Sequence, residues 1–228
     1  MACFKNICFV LLINYLGLYN LAYANVEKEI FSSNLDGVSQ SVYKKISEWS
    51  THKGLVTLIS PYAIQRYERI VPFRNIEEFS DALTGEKENW YVIDGLEEGS
   101  TYEARISYAA TSPTTFVLEI MGFEDAARIL RKRNVLQDHE STSELRVFTT
   151  KKLIRVRAIY DGVSITPNRD SQVIIYNIVL ENLIYGIPRV AFKLIFLLGV
   201  TMGAAYFLFV PKIYNALRKV VEEKEKKE

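Results

Sequence analysis

The sequence predicts a mainly β protein: an antiparallel β-sandwich with short helices, followed by one C-terminal transmembrane helix. Three observations lead there. Tyr102, Ala104, Ile106 and Tyr108 alternate with Glu103, Arg105 and Ser107, the period of a strand with one buried face. About eight segments of strand character are separated by turn signals such as Ser112-Pro113 and Asp161-Gly162. Residues 194–211 form an eighteen-residue run without a charge. As a helix this run is about 27 Å long, close to the thickness of a bilayer core.

In chain order, residues 1–24 read as a secretory signal peptide. Lys5 is the only charge, an apolar run follows, and Ala22 and Ala24 put small residues where signal peptidase inspects them. Cleavage is expected after Ala24. An uncleaved anchor is the alternative, weakened by Asn14 and Asn20 in the apolar stretch. Residues 25–187 are then a lumenal domain, 188–211 a transmembrane helix and 212–228 a cytosolic tail, the layout of a single-pass type I membrane protein.

Within the domain, Val42, Ile46 and Trp49 fall at i, i+4 and i+7, which predicts an amphipathic helix. Residues 55–59 and 90–93 read as strands, with Ile76, Phe79 and Leu83 on one side of a short helix between them. Phe116, Leu118 and Ile120 repeat the alternation after Ser112-Pro113. In 124–136, Ala126, Ile129 and Leu130 oppose Arg128, Arg131, Lys132 and Arg133. That basic face reads as solvated, with anionic lipid or an acidic partner as the alternative. Leu145, Val147, then Ile154, Val156 and Ala158 continue the strand pattern, and Asp161-Gly162 after Tyr160 reads as a hairpin turn. Residues 173–180 are rich in Ile and Val and read as a buried strand.

The chain has 28 Lys and Arg against 27 Asp and Glu, a net charge of +1, which argues against a nucleic-acid surface. A 49% hydrophobic content with twelve Phe and fourteen Tyr argues against disorder. The two cysteines, Cys3 and Cys8, lie in the expected signal peptide, so the mature chain is expected to hold no disulfide. A domain of this size can be stable without one. No Asn is followed by x-Ser or x-Thr, so no N-glycan is expected.

One stretch resembles a known family. Leu96-Glu97-Glu98-Gly99-Ser100-Thr101-Tyr102, after the segment Trp90-Tyr91-Val92-Ile93, is similar to the corner between two strands of fibronectin type III domains. The resemblance implies a β-sandwich in which the Tyr102 hydroxyl bonds back to the corner backbone. It spans about twenty residues, and the early-strand Trp usual in the family has no counterpart here, since Trp49 falls in a helical pattern.

Residues with chemistry are sparse. His52 lies in Ser50-Thr51-His52-Lys53 and His139 in Asp138-His139-Glu140, and neither has a metal-ligand spacing. No Gly-x-Ser-x-Gly and no phosphate-binding glycine loop occurs. Glu77-Glu78 and Glu97-Glu98 read as solvated pairs, and adjacent Asp138, His139 and Glu140 do not converge on one atom. A glycosidase carboxylate pair is left open. No catalytic residue, cofactor or metal is expected.

Two features of the C-terminal part suggest partners. Gly199 and Gly203, extended by Ala204, let another membrane helix approach closely. Lys224 and Lys226 stand fifth and third from the end, a spacing that resembles the dilysine signal by which the COPI coat returns type I proteins to the endoplasmic reticulum. The layout is similar to accessory subunits of the translocon-associated protein complex and to small stabilising subunits of lumenal glycosyltransferases. A non-enzymatic accessory subunit of an endoplasmic reticulum membrane complex, serving translocation, maturation or glycosylation, is therefore expected. Its partners are expected to be membrane proteins of that compartment, met through the domain and the helix. Two alternatives stand beside it. One is a cargo receptor cycling between endoplasmic reticulum and Golgi like those with GOLD domains, whose lumenal disulfide, heptads and Phe-Phe tail this chain lacks. The other is a glycan-binding domain using Trp49, Trp90 and Tyr91.

Overall fold

The computed structural model describes residues 24–81, 87–136, 145–163 and 168–225. Among them strands predominate, arranged in several sheets, and one long helix closes the chain. The largest sheet joins β1 (Ala24–Ser32), β6 (Thr101–Ala109), β10 (Ile174–Ile184) and β11 (Ile187–Pro188) in that order, with β4 (Tyr62–Ile70) also paired to β10. A second sheet runs β3 (Val56–Ile59), β5 (Glu88–Asp94), β9 (Lys152–Tyr160), β7 (Thr114–Met121). A small third sheet pairs β2 (Asp36–Ser39) with β8 (Arg146–Thr149).

The alternation read in the sequence becomes the core. Ala104, Ile106 and Tyr108 of β6 and Tyr176, Ile178 and Leu180 of β10 point at Tyr91, Ile93, Ile154, Val156 and Ala158 of the second sheet, and all are buried in one cluster. The other face of β9 and β5 is buried as well. Leu153 and Trp90 pack there with Val42 and Ile46 of α1 (Gln40–His52) and with Phe123, Ala126 and Leu130 of α3 (Phe123–Lys132). The second sheet thus lies between the first sheet and a pair of helices, which is why β9 reads as buried along most of its length. The short α2 (Ile76–Asp81) sits near the far end of β9, where Phe79 packs edge-on against Phe73.

The structure corrects three expectations. The sheets are not wholly antiparallel, because β3 pairs with β5 in parallel, Val56 opposite Tyr91 and Ile59 opposite Asp94. The connection between them carries β4 and α2, long enough for a crossover that a hairpin cannot make. Asp161-Gly162 does not close a hairpin, since β9 and β10 belong to different sheets. Instead the Asp161 N–H bonds to the Pro113 carbonyl at 2.9 Å. A Cβ on Gly162 would stand 2.8 Å from the Pro113 ring, so this glycine is there for close approach. The final helix, α4, runs Arg189–Glu225. It continues through Pro211 for 37 residues in all. Four strands, β1, β2, β4 and the two-residue β11, were not expected at all. Leu83, like residues 1–23 and His139, lies outside the described residues.

The corner at Tyr102 joins the two large sheets. Leu96 and Tyr102 are buried, and the Tyr102 hydroxyl accepts the Glu97 N–H at 3.0 Å. Ser60 Oγ donates to the same oxygen at 3.1 Å, which ties in the turn between β3 and β4. Tyr102→Phe keeps the ring and removes that acceptor. It is expected to lower stability by about 1–2 kcal/mol, read as a drop of a few degrees in the thermal midpoint by circular dichroism of the detergent-solubilised chain. An unchanged midpoint would mean that water serves the two donors equally well.

Candidate functional site

Charged residues appear on the helix-facing side of the second sheet. Lys152 to Tyr160 alternate so that Ile154, Val156 and Ala158 enter the main core, which leaves Arg155 and Arg157 on the opposite face. Pairing sets their neighbours: Arg155 lies opposite Trp90 of β5 and Glu119 of β7, and Arg157 opposite Glu88 and Val117. Arg155 Nε donates to Glu88 Oε2 at 2.7 Å and its NH1 to Glu119 Oε2 at 3.1 Å. Arg157 NH2 donates to Glu119 Oε1 at 2.6 Å, and its guanidinium lies 3.8 Å from the centre of the Phe79 ring.

The fifth charge comes from α3. Its helix ends where Asn134 takes a left-handed φ of 54°, a conformation Asn tolerates better than most residues. Arg133, at the C-cap, is thereby turned inward and its NH1 donates to Glu88 Oε1. The side chains of Glu88, Arg133 and Arg155 are only 3%, 6% and 7% exposed. The expected solvated basic face therefore holds for Arg128, which is exposed beside Asp125, but not for Arg133.

Glu88 also accepts the Trp90 indole N–H at 2.7 Å, so both carboxylate oxygens are occupied. Burial opposes its ionisation most strongly. The hydrogen bonds from Arg133 and Trp90 and the charge of Arg155 together outweigh burial and hold its carboxyl below the ordinary range. Burial and the Arg155 charge push the Arg157 guanidinium down.

Beside this network opens a cleft of ≈ 450 Å³, lined by Trp49 and Lys53 of α1 and its loop, Glu68, Glu88 and Asn89 from the strands, and Arg133. On its inner side the Tyr91 and Tyr176 hydroxyls are 2.7 Å apart, and Asn89 Nδ2 donates to Tyr176 at 2.7 Å. Burial raises the Tyr91 pKa well above its ordinary value and pushes Tyr176 up to about 12, so both stay neutral. Trp49 meets Trp90 edge-on at 5.5 Å, and its buried indole nitrogen has no hydrogen-bond partner among the described residues. The three aromatics named from the sequence thus share one cleft. Trp90 and Tyr91 are buried, so their ring faces are taken up by the core. Chemically the cleft offers fixed charge and hydrogen bonds. Its carboxylate Glu88 is saturated, and its phenols hold their protons.

The remaining sequence-named residues lie elsewhere. His52 ends α1, exposed. Glu78 takes the Arg74 N–H and pairs with Lys87, whose hydrogen bond is the main cause of its lowered pKa, a structural role at the start of α2. No group of three or more His, Cys, Asp or Glu is placed to hold a metal among the described residues. Gly199, Gly203 and Ala204 lie on α4, where an added Cβ on either glycine would meet nothing within 4 Å. The helical segment Ala191–Arg218 contains an 18-residue window of mean hydropathy 2.1, none of it buried, and is long and apolar enough to cross a membrane. Ala24 opens β1 opposite Ala109, while Ala22 lies outside the described residues. Lys224 falls in the last turn of α4, and Lys226 lies outside the described residues. Comparison with protein-family models, curated proteins and solved structures finds no match.

Acid sensitivity follows from the network. Folding lowers the Glu88 pKa below its ordinary 4.5, so its stabilisation is complete above that pH and is lost as pH falls through the folded value. Asp94, held down by Lys151 and the Gly95 N–H against burial, acts in the same direction. The thermal midpoint is expected to be flat from neutrality to about pH 5 and to fall below it. Breaking the buried pair by Glu88→Gln is expected to lower stability by about 3–5 kcal/mol at neutral pH and to make the acid fall shallower. An acid profile identical to that of the unsubstituted chain would remove Glu88 as its cause.

Proposed function

We propose that this chain is a non-enzymatic, single-pass type I protein of the endoplasmic reticulum membrane, whose domain and helix act as an accessory or stabilising subunit of a membrane protein complex. The observation that carries the reading is α4, an apolar helix of which none of the spanning window is covered by the rest of the chain. Burying such a surface needs lipid, and its small-residue positions need a helix if they are to be covered closely. The two large sheets, sharing one core, are read as a β-sandwich presented on the lumenal side. The cleft supports a binding role over catalysis, because both oxygens of Glu88 are taken by hydrogen bonds and burial keeps the Tyr91 and Tyr176 hydroxyls protonated. Purification in mild detergent tests the proposal: stoichiometric multi-spanning partners are expected, and recovery of the chain alone counts against it.

The helix and the tail make separate predictions. Gly199→Leu combined with Gly203→Leu puts bulky side chains on the close-approach face. It is expected to leave insertion intact and to lose the membrane partner. Retention of every partner would show that the domain alone holds them. Lys224→Ser combined with Lys226→Ser removes the proposed COPI signal, and the protein is expected to reach the Golgi or cell surface. If it stays, depletion of the co-purified partner separates an unused signal from retention by that partner.

A second reading has one observation in its favour. Trp49, Glu68 and Asn89 line the cleft together, an aromatic ring beside a carboxylate and an amide, which suits a polar, hydroxyl-rich ligand such as a glycan. Displacement of partners by free oligosaccharide during purification would favour it over a protein–protein role.

A further inference from the structure

We infer that the end of the β-domain from which α4 leaves is seated in the headgroup layer of the bilayer, so that the domain lies against the membrane instead of standing off on a linker. This rests on the reading of α4 as a spanning helix. The connection leaves little slack. β10 turns at Tyr185-Gly186 into β11, with Ile184 paired to Ile187 across the turn, and Arg189 begins the helix one residue after Pro188. From Pro188 to Leu194, the first residue of the charge-free run, is six residues, about 9 Å of helix. The headgroup layer on each side of a bilayer is about 5–7 Å thick. With the helix upright Pro188 stands about 2–4 Å beyond that layer, a gap a tyrosine side chain can span, and tilting the helix lowers the hairpin into it.

The residues at this end fit the location. The turn has positive φ at both central residues, 53° at Tyr185 and 77° at Gly186. Such turns favour Asn or Gly. Here the first position holds a tyrosine that is 97% exposed and touches little of the chain. The turn between β3 and β4 sits alongside. Asn182 N–H bonds to the Pro61 carbonyl at 2.9 Å, and Tyr62 pairs with Glu181. That turn brings Ile59 and Tyr62 to the same end, 60% and 47% exposed. Two tyrosines flanked by isoleucines, next to Arg189 and Lys193, make an amphipathic rim of the kind found at membrane interfaces. Exposed Glu97 and Glu98 lie on the corner loop at this end, which limits the depth to the headgroups and favours a zwitterionic surface over an anionic one.

The opposite end provides the contrast. β10 is eleven residues long, about 36 Å of strand. Val163, fully exposed, follows β9 beside the turn at Pro113, near the start of β10.

The full chain carries only Cys3 and Cys8. With both replaced by Ser, single cysteines can be placed at Tyr185→Cys, Tyr62→Cys, Val163→Cys and Val200→Cys. All four positions are exposed, so no buried contact is lost. Each chain is labelled with nitrobenzoxadiazole, reconstituted in phosphatidylcholine vesicles, and challenged with lipids bearing a nitroxide either at the headgroup or deep in the acyl chain. The expected result is strong headgroup quenching with a blue-shifted emission at Tyr185→Cys and Tyr62→Cys, acyl-chain quenching at Val200→Cys, and no quenching at Val163→Cys. Aqueous labels at Tyr185→Cys and Tyr62→Cys, with Val200→Cys buried, would overturn the inference and leave the spanning helix standing. An aqueous label at Val200→Cys would overturn the spanning helix, and the seated domain with it. Headgroup quenching at Val163→Cys as well would overturn the stated orientation, because the domain would then lie on its side.

Discussion

Two arginines on one face of β9 set the terms for the helix-facing half of this domain. A strand in the middle of three layers has no solvent face, so the residues that alternate with Ile154, Val156 and Ala158 must be buried too. Leu153 satisfies that requirement with apolar packing, whereas Arg155 and Arg157 do so with charge. A guanidinium removed from water needs a carboxylate with good geometry. The two come from the strands on either side, Glu88 of β5 and Glu119 of β7, so the ion pairs also hold those strands in register against β9. Arg133 then draws the end of α3 onto the same Glu88, and the helical layer is anchored to the sheet at its polar point as well as through Leu130. Apolar residues of equal volume satisfy burial as well as such a network does. What the charges add here is position: each oxygen of Glu88 has a partner from a different element.

Much of the fold could be read from the chain because the strands that build the main core carry either a period of two, as in β6, β7 and β9, or a run rich in Ile and Val, as in β10. β6, β7, β9 and β10 fall where Tyr102, Phe116, Ile154 and the Ile-Val run near 174 place them. Two of the strands that escaped notice, β1 and β4, have many residues facing water. β1 holds Glu27, Lys28 and Glu29 in succession and forms one edge of the large sheet, where charge is the usual protection against unwanted pairing. β4 forms the other edge. Its register shifts opposite Tyr176 and Ile178, and Tyr67 adopts a positive φ of 61°, so its alternation is interrupted midway. The parallel pairing of β3 with β5 depends on a crossover, and no local pattern encodes which two strands a crossover brings together.

The candidate cleft was less legible, for a related reason. Trp49, Trp90 and Tyr91 stood out by residue type, and the structure does bring them to one place. Trp49 meets Trp90 only because α1 packs over β5, a contact between residues about forty positions apart, while Tyr91 turns to the other face and is buried between the large sheets. Arg133 was misplaced because the sequence Arg131-Lys132-Arg133 reads as one basic face, while the helix ends at Asn134 and sends the last of the three inward. A signal was nonetheless present. Two arginines spaced by two within a run of Leu, Ile, Val and Ala must share a face of a buried strand, and that face must find acidic partners elsewhere. Glu119 lies in one of the other strand-like segments, and Glu88 stands two residues before another, where the structure extends β5.

The way the chain leaves the domain matters as much as the domain itself. A flexible linker would let a lumenal module sample every orientation, at an entropic cost to any partner that must fix it. Here the last strand of the largest sheet ends in a two-residue turn, and α4 starts almost at once. β10 lies between β6 and β4, and Tyr176 on it is bonded to Tyr91 and Asn89 beside the cleft. A continuous path of packed strand therefore runs from the cleft to the start of the helix. If the helix is held in a bundle by its small-residue face, the height and direction of the cleft above the membrane are largely settled as well. An accessory subunit of the proposed kind would meet its partner with two surfaces already in fixed relation. The second contact then costs little additional ordering, so weak contacts at each surface suffice for a stable complex.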